Sequence, residues 1–204
     1  MQLQTLVCGI AKMSSQDTRE KLLDVAQELI QRRGLNGMSF KDLSESVGIR
    51  KASVHHHFAS KAEMVDALLK RYLQEFGSLL DEILASRASG KTKLRRYCNL
   101  FVETLNADEN DKGCVCGMLM AELLSLDESG KHQVRRFLQA NGSALEVILA
   151  EGIKDGSLKS SASVKTTSRM ILATLEGGLL VARCDGGPKQ LSEIATQLIQ
   201  LLAA

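Results

Sequence analysis

Tryptophan is absent from this sequence, proline occurs once and tyrosine occurs only twice. Because proline interrupts helices and aromatic residues are typical of strands, their scarcity favours a chain that is helical throughout. No apolar run approaches the ~20 residues that a membrane-spanning helix requires, so we expect no membrane contact. Apolar residues at helical spacing then predict an all-α protein of about nine helices.

An excess of one charge is also missing, since there are 26 Lys and Arg residues and 24 Asp and Glu residues. Up to Lys61 there are nine basic and six acidic residues, and beyond it 17 basic and 18 acidic residues. This asymmetry is small, but it has the sign that a nucleic-acid partner of the N-terminal part requires. The five cysteines are an odd number without a regular framework. They favour reduced thiols and a cytoplasmic location.

The N-terminus does not have the features of a secretory signal. Residues 1–12 have no basic segment before a short apolar patch around Leu6 and Val7. Met13 offers a second start that suits the following helix. We therefore interpret residues 1–15 as a flexible arm, or an extension, that precedes the first helix.

A helix-turn-helix is predicted between residues 38 and 57, the most informative stretch of the chain. Ser39 has the side chain and the position of an N-cap for the short helix that follows. Gly48 ends this helix, because glycine adopts the left-handed conformation without a Cβ penalty. The apolar stripe of the helix, at i, i+3 and i+7, consists of Phe40, Leu43 and Val47.

The second helix of this motif is basic at its start and has few apolar positions. Such a helix is suited to the phosphates and base edges of a DNA groove rather than to a core. Consecutive histidines on a helix point about 100° apart and cannot share one metal ion, so these histidines predict no metal site, and no cofactor is predicted. The predicted DNA-contacting residues are Ser39, Arg50, Lys51, Ala52, Ser53, His55, His56 and Lys61.

This stretch resembles the DNA-binding domain of the TetR family of bacterial transcriptional regulators. The resemblance covers residues 17 to about 70, including the first helix and its break at 34–37. The family usually has a tyrosine that touches a backbone phosphate where this chain has His55, so we expect a pH-sensitive contact there. The family motif is matched by Ser39, Val47-Gly48-Ile49, Ser53-Val54, His57-Phe58 and Lys61.

The resemblance implies a three-helix DNA-binding domain over residues 16–62 and a larger helical domain over 63–204 for effector binding and dimerisation. The implied partners are a palindromic double-stranded DNA operator, a second copy of the chain, and an unknown small molecule, electrophile or oxidant. An effector would shift the fourth helix and change the spacing of about 34–36 Å between the recognition helices. No Ser-His-Asp spacing, phosphate-binding loop or dinucleotide fingerprint indicates an enzyme.

The last two predicted helices, residues 164–183 and 191–202, carry the candidate dimer interface. Small residues on the first helix allow another helix to approach closely, and the second helix has an apolar stripe. In the TetR family these helices usually pair with their copies about a twofold axis; the alternative is packing within one subunit. The candidate interface residues are Gly177, Gly178, Val181, Leu191, Ile194 and Leu198.

A second cluster, Cys114-Val-Cys116-Gly-Met118-Leu-Met120, is predicted to begin a helix. Because a helix N-terminus stabilises a thiolate, Cys114 near Lys112 is expected to have a lowered pKa. The cluster resembles that of a TetR subgroup whose first cysteine reacts with electrophiles or oxidants. Two other interpretations stay open: buried small hydrophobic residues, or soft-metal binding of Cu(I). The candidate redox or effector residues are Cys98, Cys114, Cys116 and Cys184.

Two acidic residues, Glu103 and Glu122, occur on otherwise apolar helices and need partners if they are buried. Each could line an effector pocket or pair with Arg95, Arg96 or Arg183. The combined features predict a homodimeric, ligand- or redox-responsive repressor. The alternative is a helical thiol- or soft-metal-binding protein whose N-terminal domain mediates protein contacts.

Overall fold

Nine α-helices and one short 3-10 helix form residues 14–106 and 111–204, the ranges that the computed structural model describes. The predicted all-α fold is confirmed, and within these ranges the β-structure is limited to one isolated bridge between Leu158 and Ala203. The 3-10 helix is Leu123–Ser125. The α-helices are α1 (Ser15–Arg33), α2 (Phe40–Val47), α3 (Lys51–His57), α4 (Lys61–Ala85), α5 (Gly90–Asn106), α6 (Val115–Ala121), α7 (Glu128–Lys154), α8 (Val164–Cys184) and α9 (Gly187–Leu202).

The first two helices begin at polar caps. Ser14 and Asp17 form a capping box at the start of α1, in which each side chain accepts a hydrogen bond from the other residue's backbone N–H. Ser14 therefore belongs to the helix end, which corrects the predicted end of the arm at residue 15. The rest of that arm, residues 1–13, lies outside the described residues. Ser39 and Asp42 form the same box at α2, as predicted for Ser39. A good N-cap is worth about 0.5–2 kcal/mol.

A shared apolar core holds α1, α2 and α3 together. Leu22 of α1, Leu43 of α2 and Val54 of α3 are fully buried. Gly48 joins α2 to α3 in the predicted left-handed conformation, with φ 74° and ψ 34°. Helices this short are unstable alone, so α2 and α3 depend on this core for their stability.

The longer helices build the C-terminal unit. α4 packs along α7, α5 packs along α9, and α8 contacts both α7 and α9. The Tyr97 hydroxyl donates to Asn141 Oδ1 at 2.6 Å and joins α5 to α7 inside this core. The short α6 contacts both α1 and α7. It therefore lies between the DNA-binding unit, formed by α1, α2 and α3, and the C-terminal unit. None of the helices within the described ranges is both long and apolar enough to cross a bilayer.

Candidate nucleic-acid interface and effector cavity

Two buried side chains anchor α3, and most of the other side chains of the helix are exposed. Val54 and Phe58 are fully buried, and the Arg19 guanidinium lies 4.9 Å from the centre of the Phe58 ring. Ser53 is half-buried. The exposed side chains on α3 and at its N-cap are Arg50, Lys51, Ala52, His55 and His56. The structure therefore brings five of the predicted DNA-contacting residues to the surface of one short helix.

The three histidines of α3 have different surroundings. His55 packs edge-on against Phe40, with ring centroids 4.9 Å apart, and His56 lies 5.6 Å from the ring of His57. Burial lowers the pKa of His57. His55 and His56 are thus the histidines available to a DNA partner. Across the described residues no group of three or more His, Cys, Asp or Glu side chains could hold a metal ion.

Ser39 and Lys61, two of the predicted DNA-contacting residues, already have partners inside the protein. The Ser39 hydroxyl donates to Asp42 Oδ2 at 2.6 Å, and this hydrogen bond is the main reason that the pKa of Asp42 is lowered. Lys61 Nζ donates to Met38 O at 2.6 Å and also to Leu35 O. Burial lowers the pKa of Lys61. Two of the three Lys61 N–H groups therefore bond to the α1–α2 loop, which leaves one for the predicted contact with DNA.

The segment leading into α6 is attached to the end of α1. Gln31 Nε2 donates to Gly113 O at 3.0 Å, and Gly113 N donates to Gln31 O at 3.0 Å. Arg183 of α8 donates to Arg32 O at 3.0 Å and lies 3.1 Å from the sulfur of Met118. The start of α6 and the end of α8 are therefore both bonded to α1.

The opposite end of α6 is attached to the α1–α2 loop through Glu122. Its carboxylate accepts hydrogen bonds from Leu35 N at 2.5 Å and from Asn36 N at 3.2 Å. This position corrects both sequence interpretations of Glu122, because the carboxylate neither lines the large cavity nor pairs with one of the three arginines. Glu103 is exposed.

A cavity of about 710 Å³ opens between α7 and α8, and Met120 of α6 also lines it. Its size lies within the ~300–1,000 Å³ typical of small-molecule sites. Met120, Leu138, Leu172 and Ala173 form its apolar walls. The polar and charged lining residues are Gln139, Ser143, Glu146, Lys165, Ser168, Arg169 and Glu176.

Glu176 is the lining residue with the most unusual surroundings, and the sequence interpretation missed it. Burial raises the pKa of Glu176 to about 7, and a hydrogen bond with the Cys114 thiol opposes this effect. Its Oε1 atom is buried and, among the described residues, has no hydrogen-bond partner. A Cβ on Gly117 would lie 2.4 Å from Glu176 Oε2, so the carboxyl group rests against the backbone of α6. The signal applied to Glu103 and Glu122, an acid on a largely apolar helix, also identifies Glu176.

The predicted reactive thiolate is wrong for Cys114. Cys114 is buried at the N-cap of α6, where its sulfur accepts a hydrogen bond from Gly117 N at 3.4 Å. Burial, followed by the charge of Glu176, nevertheless raises the pKa of Cys114 well above its ordinary value. Burial also raises the pKa of Cys98 to about 12 and raises that of Cys116. Lys112, which the sequence places near Cys114, has its Nζ 4.0 Å from Glu28 Oε1.

We expect Cys184 to react faster with N-ethylmaleimide near neutral pH than Cys98, Cys114 or Cys116. Cys184 is exposed, whereas the other three are buried and resist ionisation, and the thiolate is the reactive form. Site-resolved mass spectrometry measures the four rates, with the urea-unfolded chain as the control in which the differences vanish. Fastest labelling at Cys114 would contradict this prediction and support a reactive thiolate at the N-terminus of α6. Cys8 lies outside the described residues.

The candidate dimer interface divides into buried and exposed parts. Gly178 and Leu191 are buried, and a Cβ on Gly178 would lie 3.2 Å from Leu191 Cδ1. These two residues therefore belong to the contact between α8 and α9 within one subunit, which corrects their assignment. Gly177 and Val181 are exposed. Ile194 and Leu198 are half-buried, so the candidate interface retains Gly177, Val181, Ile194 and Leu198.

Comparisons with known proteins match both units of the fold. Residues 22–68 match the family profile described as "Bacterial regulatory proteins, tetR family", and residues 90–198 match "Tetracyclin repressor-like, C-terminal domain". The HTH-type transcriptional repressor KstR2 of Rhodococcus jostii is 26% identical over 185 residues, or 90% of this chain and 88% of that protein. The HTH-type transcriptional repressor NemR of Escherichia coli is 28% identical over 149 residues, 71% of each chain.

A solved structure extends this similarity to the whole fold. A TetR-family transcriptional regulator from Agrobacterium tumefaciens has a TM-score of 0.88 and 30% sequence identity, and the match covers 94% of this chain and 100% of that one. The C-terminal profile alone spans more than half of the 204 residues. The family and these relatives are transcriptional regulators and not enzymes. The chain therefore belongs to the TetR family of bacterial transcriptional regulators.

Proposed function

We propose that the protein is a homodimeric, cytoplasmic, DNA-binding repressor that a small molecule releases from a palindromic operator. The observation that carries this proposal is α3, an exposed helix with Arg50 and Lys51 at its start and Val54 and Phe58 as buried anchors. One such helix reads only a few base pairs, so a specific site requires two copies about 34–36 Å apart. KstR2 and NemR, named as repressors, support repression rather than activation.

An exposed strip on α8 supports the dimer. Met170, Thr174, Gly177 and Val181 lie at i, i+4, i+7 and i+11, which is one face of a helix. Met170 and Val181 are 58% and 56% exposed, so both apolar residues of this strip face away from the subunit. Leu201 of α9 is 68% exposed and was not identified from the sequence. Burying this strip against its copy would remove apolar surface from water.

The contacts of α6 support a route from the cavity to α3. Glu176 lines the cavity and rests on Gly117 near the start of α6, while Glu122 at its end holds the α1–α2 loop. Lys61 bonds to the same loop from the start of α4. A ligand that displaces Glu176 would therefore move α6, and with it the support of the DNA-binding unit. This route replaces the simpler expectation of a direct shift of α4.

A pocket ligand is favoured over cysteine modification as the releasing event. Cys98, Cys114 and Cys116 are buried, and burial raises the pKa of each thiol. A modifying reagent would have to enter the packed interior before it could react with any of these three thiols. The alternative of a thiol- or soft-metal-binding protein is not retained, because both units match a family of transcriptional regulators.

Arg50→Ala and Lys51→Ala are each expected to weaken operator binding by about 5- to 150-fold, the loss for one bidentate guanine contact of ~1–3 kcal/mol. Fluorescence anisotropy measures this loss with an operator selected from random-sequence DNA by the full chain. Where a side chain instead contacts phosphate, the slope of log K against log salt falls by about one. The salt slope of each variant therefore shows whether its side chain contacts a base or a phosphate.

The matched control is Lys189→Ala, which removes the same charge from an exposed position on α9. It is expected to retain full affinity and the full salt slope. Unchanged affinity after removal of both Arg50 and Lys51 would overturn the assignment of α3 as the recognition helix.

A further inference from the structure

We propose that the cavity between α7 and α8 binds an elongated anionic amphiphile with a second polar group at its far end. The anionic head would lie at Lys165 and Arg169, the apolar chain would follow the cavity wall, and the terminal hydroxyl or carbonyl would meet Glu176. This inference rests on the proposed function, since it names the class of ligand that occupies the effector cavity.

The head group is assigned from two cations on one wall of the cavity. Lys165 and Arg169 are exposed at i and i+4 on α8, and neither has an ion pair or hydrogen bond from its side chain within the described residues. The first turn of α8 contains no acid, so the positive end of the helix dipole adds to these charges. The cavity lining contains two acids, Glu146 and Glu176. A carboxylate, sulfate or phosphate is the complement of this wall.

The chain and its length are assigned from the walls and from helix geometry. Leu138, Leu172, Ala173 and Met120 provide an apolar lining. At about 1.5 Å rise per residue, Glu176 lies ~10 Å along α8 from Arg169 and ~16 Å from Lys165. An extended ten-carbon chain with C–C bonds of ~1.5 Å spans about 11 Å. A chain of this length therefore spans the distance along α8 from Arg169 to Glu176.

The terminal polar group is assigned from the orphaned oxygen of Glu176. Its Oε1 is buried without a hydrogen-bond partner among the described residues, and an unsatisfied buried oxygen is costly. Because burial raises the pKa of Glu176 to about 7, the carboxyl group is largely neutral below neutral pH and can donate as well as accept. Because this oxygen has almost no accessible surface, the carboxyl group has to turn toward the cavity before a ligand hydroxyl or carbonyl can supply the missing partner, and a bare methyl terminus supplies none.

Isothermal titration calorimetry of the full chain with three matched probes tests this assignment. We expect ω-hydroxydecanoate to bind more tightly than decanoate, and decyltrimethylammonium to bind at least about tenfold more weakly than decanoate. The double variant K165Q/R169Q should weaken decanoate binding by about tenfold or more. The control K159Q/K189Q removes two exposed charges outside the cavity and should bind as the native chain does.

Substitutions at Glu176 test the contact with the terminal polar group of the ligand. E176L should abolish the advantage of ω-hydroxydecanoate over decanoate, whereas E176Q, which retains a donor and an acceptor, should preserve it. Tighter binding of decyltrimethylammonium, equal anion binding by K165Q/R169Q, or binding of neither anion would overturn the proposal.

Operator binding, measured in parallel, keeps the two conclusions separate. If ω-hydroxydecanoate binds as expected and releases the operator, the ligand class and the effector role are both supported. If it binds as expected but the operator affinity is unchanged, the ligand class stands and the proposed effector role fails. Failure of the native chain to bind any selected operator would overturn the DNA-binding function alone.

Discussion

Replacing Gly177 with leucine is expected to yield folded monomers that have lost most of their operator affinity. Gly177 is exposed in the middle of α8, and no heavy atom lies within 4 Å of a Cβ added there. Within one subunit the added Cβ meets no neighbouring residue, and the loss of a mid-helix glycine favours the helix by about 0.5–1 kcal/mol. In a dimer the same side chain would hold the paired α8 helices apart.

Replacing the adjacent Gly178 is expected to have the opposite effect. A Cβ there would lie 3.2 Å from Leu191 Cδ1 and 3.5 Å from two Ile194 atoms. A leucine at this position overpacks the contact between α8 and α9 and costs about 1–3 kcal/mol of folding free energy. Sedimentation velocity reports the oligomeric state of each variant, and calorimetry reports its thermal unfolding midpoint.

Gly77→Leu is the matched control for both glycine variants. Gly77 lies inside α4, and a Cβ added there also has no heavy atom within 4 Å. This variant is expected to remain dimeric with an unchanged or raised unfolding midpoint. A stable dimer after Gly177→Leu would mean that the interface lies elsewhere on the molecule.

Replacing Glu176 with glutamine is expected to stabilise the protein at about pH 8 by up to roughly 3 kcal/mol and to change it little near pH 4. Burial raises the pKa of Glu176 from 4.5 to about 7. Between these values the folded protein holds this proton and the unfolded chain has lost it, so the free energy of unfolding falls as the pH rises. Above the folded pKa the full cost of a buried carboxylate is present, and glutamine removes it.

The difference between native and variant stability isolates this group from the rest of the protein. Asp42, Asp66 and Asp155 have lowered pKa values and stabilise the fold as the pH rises, but they are present in both proteins. Cys114 and Tyr72, which face Glu176, stay neutral because burial raises the pKa of both. Lys165 and Arg169 line the same cavity in both proteins.

Urea unfolding between about pH 4 and pH 8 measures this difference, from the free energy extrapolated to water. Glu193→Gln, which changes an exposed carboxylate on α9, is the control and should show no such pH dependence. A native-minus-variant difference that stays constant over the range would mean that Glu176 ionises normally in the folded protein.

The helix-turn-helix was predictable in detail because its signals are local. The capping box at Ser39 and the left-handed Gly48 act within a few residues of the backbone that they shape. The anchors Val54 and Phe58 stand out because the surrounding residues of α3 are polar. The fold class followed from the same kind of signal, repeated along the chain as apolar periodicity.

The sequence does not define the rotation of α8 about its own axis closely enough to predict which residues face a dimer partner. Neighbouring residues on a helix are about 100° apart, so a shift of one residue exchanges an inward face with an outward one. Gly177 and Gly178 are adjacent and chemically identical, yet one is exposed and the other packs on Leu191. Only the position of α9 distinguishes them.

The sequence by itself determined the fold class, the cap at Ser39 and the exposed basic helix, because these depend on residues close together in the chain. Only the tertiary structure decided that Lys61 bonds to the α1–α2 loop, that Cys114 is buried beside Glu176, and that Glu122 holds the DNA-binding unit. Each of these outcomes depends on desolvation and on partners many residues away. The pKa of a thiol follows its burial as well as its helix position, and burial is set by the packing of the whole chain.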